Sequence, residues 1–118
     1  MAQEFRILLV DDKRLVLDFL VAALEQAGYS VTSTTSGKQA LRLLDQQRFD
    51  LLIADLNMPE MDGFDLLKKT HASLKVLVIS GWMDGVLLPA AKALGAVDAL
   101  KKPISAAALV QKVAEILA

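Results

Sequence analysis

The chain contains no cysteine among its 118 residues, so it can form neither a disulfide framework nor a thiolate metal site. Only 5% of its residues are aromatic although 54% are hydrophobic, so the core must be built from aliphatic side chains. No apolar run approaches the roughly 18–20 residues of a membrane span, and acidic residues stand too early for a secretory signal. These absences predict a cytoplasmic protein without membrane insertion.

Strong charge of one sign is also missing. The formal net charge is −1 and no long run of like charges occurs, so direct nucleic-acid binding is not expected. A length of 118 residues is typical of one domain with one core. We therefore interpret residues 1–118 as a single domain.

Short apolar runs alternate with helical patterns along the chain. Strands are predicted at residues 5–10, 29–34, 51–54, 75–79 and 96–101. The five predicted helices start at Asp12, after Ser36, at Phe64, near Leu87 and after Ser105. This alternation, with short connections, predicts an α/β fold: a five-stranded parallel sheet covered on both faces by the five helices.

Particular residues set the bounds of the first and fourth predicted helices. The first runs from Asp12 to Gly28, and its apolar positions at helical spacing are Leu15, Phe19, Leu20, Ala23 and Leu24. For the fourth, Asp84 is placed to act as an N-cap, but Pro89 would then leave the carbonyl of Gly85 unpaired. We therefore predict a late start at Leu87 or Leu88, after a mobile loop at residues 81–85.

Four chemically important side chains stand at the carboxyl ends of predicted strands. They are Asp11 and Asp12 after the first strand, Asp55 after the third and Lys102 after the fifth. In an open parallel sheet these ends border one crevice, so the four side chains should meet. Three crowded carboxylates repel one another unless a cation lies among them, most simply the oxygen-preferring Mg²⁺. A lysine facing them predicts a phosphoryl group in between.

Short motifs accompany these side chains at five places: Val10-Asp11-Asp12, Asp55 with Met58-Pro59, Asp62-Gly63, Ser80-Gly81 and Lys102-Pro103. Their order and spacing resemble the signature of the response-regulator receiver domain of two-component signalling. The resemblance covers essentially the whole chain. It implies a flavodoxin-like fold with strand order 2-1-3-4-5 and a cis peptide between Lys102 and Pro103.

The resemblance also implies a role for each matching residue. Asp55 would be the phosphoacceptor, Lys102 would pair with the phosphoryl oxygens and Ser80 would donate its hydroxyl to one of them. The implied Mg²⁺ ligands are Asp12, Asp55 and the backbone carbonyl of Asn57, with Asp11 binding chiefly through the metal's water. The implied phosphodonor is a sensor histidine kinase or a phosphotransfer protein. The domain would catalyse only its own phosphorylation and dephosphorylation, and would switch an interaction with a downstream effector that the sequence does not identify.

One position departs from the family pattern. The fifth strand usually carries an aromatic ring that swings inward during signalling, and this chain has Ala99 there. A methyl group has no rotamer to switch. The alternative reading is therefore a protein-interaction domain with a receiver fold that works without phosphorylation.

Two other function classes fit the sequence less well. A haloacid-dehalogenase-type phosphatase needs two acids separated by one residue after the first strand, whereas Asp11 and Asp12 are adjacent. A flavin or dinucleotide module needs a Gly- or Ser/Thr-rich turn there, and these carboxylates would repel its phosphates.

Overall fold

Five parallel strands form one sheet: β1 (Arg6–Val10), β2 (Ser30–Thr34), β3 (Leu51–Asp55), β4 (Lys75–Ser80) and β5 (Asp98–Lys101). Their order across the sheet is β2-β1-β3-β4-β5, as predicted. The computed structural model describes residues 5–56, 66, 68–70, 74–81 and 87–118. The predicted α/β fold and strand order are confirmed.

Four helices have bounds within the described residues: α1 (Arg14–Gln26), α2 (Gly37–Gln46), α3 (Leu87–Ala93) and α4 (Ala106–Leu117). Within the helix predicted from Phe64 to about His71, Leu66 and Lys68 are helical, whereas Lys69 and Thr70 are not. That helix therefore ends earlier than predicted, and its other residues lie outside the described part of the chain. Across the described residues, no helix combines the length and apolarity that a membrane span requires.

Serine side chains begin two of the helices as predicted. The Oγ of Ser36 accepts the backbone N–H of Gln39 at 3.2 Å, and the Oγ of Ser105 accepts that of Ala108 at 3.0 Å. The late start of α3 at Leu87 is also confirmed. Pro89 then stands in the first turn of α3, where a backbone N–H would have no intrahelical partner in any case. The predicted mobile loop at residues 81–85 lies largely outside the described residues.

The core forms one layer on each face of the sheet. Alternate residues of β1 illustrate the division: Leu8 and Val10 pack on one face, and Ile7 and Leu9 on the other. The first face is covered by residues of α2 and α3, and the second by α1 and α4. Burial of both faces explains why the strands are nearly continuous hydrophobic runs.

The first helix differs from its prediction in start and in orientation. It begins at Arg14 and not at Asp12, because the Oδ1 of Asp11 accepts the N–H of Lys13 and closes a turn before the helix. Its buried residues are Leu17, Leu20 and Leu24. Two residues of the predicted apolar set, Leu15 and Phe19, are instead 85% and 51% exposed.

Candidate functional site

The carboxyl edge of the sheet brings the predicted side chains together. Asp11 follows β1, Asp55 is the last residue of β3, Ser80 is the last of β4 and Lys102 follows β5. In register, Asp55 lies beside Ile79 and Ser80 beside Lys101, so β3, β4 and β5 end at one level. Parallel pairing alone therefore assembles a site from residues 11 to 102 of the chain.

Three carboxylates form the centre of this site, which we call the acid cluster: Asp11, Asp12 and Asp55. One oxygen from each lies within 4.8 Å of the others. Asp11 is fully buried and Asp55 is 2% exposed, whereas Asp12 is half-buried. Carboxylate oxygens at this separation are the donor set that a hard divalent cation prefers.

Lys102 supplies the positive charge that faces the acid cluster. Its Nζ lies 2.8 Å from Asp11 Oδ2 and 2.9 Å from Asp55 Oδ2. Burial lowers the pKa of Lys102, but the contacts of its ammonium with the negative charges of Asp11 and Asp55 outweigh burial, so the pKa is raised from its usual value. Lys102 therefore stays protonated at neutral pH, and one ammonium faces three carboxylates.

The two acids that follow β1 are held very differently. Asp11 Oδ1 accepts the backbone N–H of Lys13 at 2.9 Å, and Asp11 Oδ2 is ion-paired with Lys102 at an angle outside hydrogen-bond geometry. Asp12 Oδ1 is buried without a hydrogen-bond partner among the described residues. A buried carboxylate oxygen without a donor is costly, so the described residues leave Asp12 Oδ1 in need of a further partner.

A backbone hydrogen bond connects the end of β4 with the residue that follows β5. Ser80 is 2% exposed, and its carbonyl accepts the backbone N–H of Lys102 at 2.8 Å. The peptide between Lys102 and Pro103 is cis, as the resemblance implied. Asn57, which the resemblance implied as a Mg²⁺ ligand, lies outside the described residues, and so does Trp82, two residues after Ser80.

A groove of about 510 Å³ opens beside the acid cluster, and we call it the α1 groove. It is lined by Lys13, Leu15, Val16, Phe19, Leu20, Gly81, Lys102, Pro103 and Ile104. Its rim carries the two exposed apolar side chains of α1. The sequence pattern did not identify this groove, because apolar residues occur on two sides of α1 and spacing alone does not say which side is buried.

The face built by α3, β5 and α4 contains the departure from the family pattern. Ala99 is 9% exposed and packs in the core beside Ala91 and Ala96. Next to it, Asp98 Oδ2 lies 2.9 Å from Lys112 Nζ, which links β5 to α4. Asp98 and Ala99 are consecutive strand residues and point to opposite faces of the sheet, so the ion pair lies on the α4 side and the methyl group on the side covered by α3.

Comparison with known proteins agrees with this geometry. A model of the "Response regulator receiver domain" family matches residues 7–114. The response regulator receiver protein CpdR of Brucella abortus is 37% identical over 115 residues, which are 95% of this chain and 96% of CpdR. The response regulator SaeR of Staphylococcus epidermidis is 36% identical over 115 residues, but the match spans only 50% of SaeR.

Solved structures share the same fold. The chemotaxis response regulator CheY4 of Vibrio cholerae superposes with a TM-score of 0.90 at 28% identity, covering 98% of this chain and 100% of CheY4. A putative response regulator from Chloroflexus aurantiacus superposes with a TM-score of 0.89 at 32% identity, with 98% of each chain covered. With its strand order, its acid cluster and a family match over most of its length, this chain belongs to the response regulator receiver domain family.

Proposed function

We propose that residues 1–118 form a phosphoacceptor domain in which Asp55 accepts a phosphoryl group. The observation that carries this proposal is the contact of Lys102 Nζ with Asp55 Oδ2 at the edge of the acid cluster. Asp55 is the proposed nucleophile, and the ammonium of Lys102 beside it can neutralise the negative charge of the incoming phosphoryl group. Ser80, at the end of β4, is the second donor assigned to the phosphoryl oxygens.

The acid cluster fits Mg²⁺ on two counts. Its three carboxylates are oxygen ligands, and Asp12 Oδ1 is a buried oxygen without a hydrogen-bond partner among the described residues, which a cation would satisfy. The residues that would hold the ion are Asp11, Asp12, Asp55 and, by family resemblance, the backbone carbonyl of Asn57. When bound, Mg²⁺ supplies charge neutralisation at the phosphoryl oxygens.

The chain's own residues then have separate tasks. A carboxylate oxygen of Asp55 forms a bond to phosphorus while the phosphorus–nitrogen bond of a phosphohistidine donor breaks and the imidazole keeps the electron pair. Lys102 turns its ammonium from the carboxylate of Asp55 to the phosphoryl oxygens of the product. Water later attacks phosphorus and restores the carboxylate, releasing phosphate. The protein thus acts only on itself.

Response regulator receiver domains interact with histidine kinases or phosphotransfer proteins, and we propose such a protein as the phosphodonor here. The α1 groove supports a contact beside the site, because Leu15 is 85% exposed and Lys102 lines the same groove. The output is proposed to be a changed interaction with an effector protein and not direct nucleic-acid binding. A cytoplasmic location belongs to the same proposal, since a chain without cysteine suits a reducing compartment.

The test is phosphorylation by acetyl phosphate with Mg²⁺, followed by intact mass measurement. Wild type should gain one labile phosphoryl group, and Asp55→Asn should gain none. The matched control is Asp18→Asn, because Asp18 is an exposed aspartate on α1 that is not part of the acid cluster. An adduct of undiminished yield in Asp55→Asn would contradict the assignment.

A second function is favoured by one observation. Ala99 is buried in the core on the face of α3, β5 and α4, so the aromatic switch of the family is absent there. The alternative is an interaction domain whose binding does not depend on phosphorylation. Equal affinity of a partner for wild type with and without beryllofluoride, a stand-in for the aspartyl phosphoryl group, would select this alternative.

A further inference from the structure

Among the described residues, four polar side chains are buried: Asp11, Thr34, Asp55 and Ser80. Asp11, Asp55 and Ser80 have roles in the proposed chemistry, whereas Thr34 has none. Thr34 is the last residue of β2 and lies in register beside Val10, one residue before the acid cluster begins. A buried hydroxyl at this position calls for an explanation from its contacts.

The hydroxyl of Thr34 closes the turn between β2 and α2. Its Oγ1 accepts the backbone N–H of Ser36 at 3.1 Å and donates to Gln39 Oε1 at 2.6 Å. Ser36 in turn caps α2 by accepting the N–H of Gln39. The side chain of Thr34 is thus bonded to both ends of the capping turn, which fixes the direction of the backbone at the end of β2.

The backbone of Thr34 reaches the acid cluster directly. Its carbonyl accepts the N–H of Asp11 at 3.3 Å. Asp11 is then held at three atoms: its N–H by Thr34, Oδ1 by the N–H of Lys13 and Oδ2 by Lys102. The contact from Thr34 is the only one of the three that fixes the backbone of Asp11 relative to the neighbouring strand.

We propose that Thr34 is a positioning residue for Mg²⁺ binding, acting through Asp11. The Thr34 hydroxyl stabilises the turn after β2, and this turn fixes the orientation of the Thr34 carbonyl. The carbonyl in turn positions the backbone of Asp11, and with it the carboxylate of Asp11 in the acid cluster. This inference rests on the proposed Mg²⁺ site. Mutation of a residue that hydrogen-bonds a metal ligand typically lowers metal affinity about 10- to 100-fold. Thr34 acts through the backbone of Asp11 and not on its carboxylate, so we expect a smaller effect.

The test is the Mg²⁺ dissociation constant of the full chain, measured by calorimetric titration without any phosphodonor. Thr34→Val removes the hydroxyl at nearly constant shape and should weaken Mg²⁺ binding about 3- to 10-fold. Thr34→Ser, which keeps the hydroxyl, should bind within about twofold of wild type. Thr32→Val is the matched control, since Thr32 lies on the same strand and the same face but outside this network.

Gln39→Met gives an independent test, because it removes the acceptor of the Thr34 hydroxyl at an exposed position and leaves Thr34 intact. It should weaken Mg²⁺ binding in the same direction as Thr34→Val. Unchanged affinity in both variants, even with a lower melting temperature, would overturn the positioning role and leave a purely structural one. Failure of wild type to bind Mg²⁺ would instead overturn the proposed function on which this role rests.

Discussion

Lys102 and Asp55 contact each other across the end of an intervening strand. Asp55 ends β3 and Lys102 follows β5, yet Lys102 Nζ lies 2.9 Å from Asp55 Oδ2 although β4 runs between the two strands. The long side chain of Lys102 spans this distance, and the same ammonium also reaches Asp11 after β1. The ammonium of Lys102 therefore connects residues at the ends of three strands, β1, β3 and β5.

Removing this cation should destabilise the unloaded protein. In Lys102→Met the buried carboxylates of Asp11 and Asp55 lose their shared partner, and we expect the free energy of unfolding to fall by about 1 to 3 kcal/mol, the usual cost of a buried polar group without its partner. Mg²⁺ should restore more stability to this variant than to wild type, because it replaces the missing positive charge. Urea unfolding with and without Mg²⁺ measures both effects.

The control for this prediction is Lys101→Met, which removes an exposed lysine next in the chain. Its stability and its response to Mg²⁺ should match wild type. If Lys102→Met gained no more from Mg²⁺ than wild type does, Lys102 would not be compensating the charge of the acid cluster.

Mg²⁺ should raise the melting temperature of wild type, because it binds only the folded acid cluster. At a concentration about 100 times the dissociation constant the gain should be about 2.7 kcal/mol. Asp12→Ala should lose most of this gain, since it deletes a buried oxygen for which the described part of the chain supplies no hydrogen-bond partner. Asp45→Ala, at an exposed position of α2, should keep it. An equal gain in wild type and Asp12→Ala would exclude Asp12 as a ligand.

The ion pair between Asp98 and Lys112 should give stability that depends on pH in the acid range. Burial raises the pKa of Asp98, but hydrogen bonds from Lys112 and the Ala99 N–H outweigh it, so the pKa lies below 3.8. The stabilisation is therefore present above pH 3.8 and is lost as the pH falls through the lowered pKa. This stabilisation is small because the pair is partly exposed and solvent screens its charges.

Melting temperatures of wild type and Asp98→Asn, compared across the acid range, measure this contribution. The variant should be less stable near neutral pH, and the two curves should converge below pH 3.8. A difference that stays constant through that range would mean that the charge of Asp98 contributes nothing.

The α1 groove should matter for a protein phosphodonor and not for a small one. Phe19→Ser removes an exposed apolar side chain from its rim, so transfer from a phosphorylated kinase or phosphotransfer protein should slow by about tenfold. Phosphorylation by acetyl phosphate should keep its rate. Val97→Ser is the control, because Val97 is 42% exposed and does not line the groove. Equal slowing with both donors would point to damage of the site itself.

Trp82 is the only tryptophan of the chain and stands two residues after Ser80, so it can report on the switch. Beryllofluoride with Mg²⁺ should change its fluorescence, because Ser80 is expected to move toward the phosphoryl oxygens and to carry Gly81 with it. Ser80→Ala should weaken the change. An unaltered spectrum in a saturated complex would favour the phosphorylation-independent interaction domain.

The sequence by itself determined the fold and the place of the site. The predicted strands are short hydrophobic runs, and Asp11, Asp55 and Lys102 each stand at the carboxyl end of one. Parallel pairing of the strands therefore places these residues at the same edge of the sheet. The helix N-caps at Ser36 and Ser105 could also be predicted from the sequence, because a few neighbouring residues determine where a helix begins. All of these features depend on local sequence or on the direction of strands.

Only the tertiary structure decided which sides of the elements are buried and which polar groups meet. In α1, both Leu15 with Phe19 and Leu17 with Leu20 have helical spacing, and packing of α1 against α4 and the sheet buried the second pair. The role of Thr34 was equally hidden in the sequence. Its contacts with Ser36 and Gln39 are local, but its contact with Asp11 depends on the pairing of β1 with β2, which joins residues far apart in the chain.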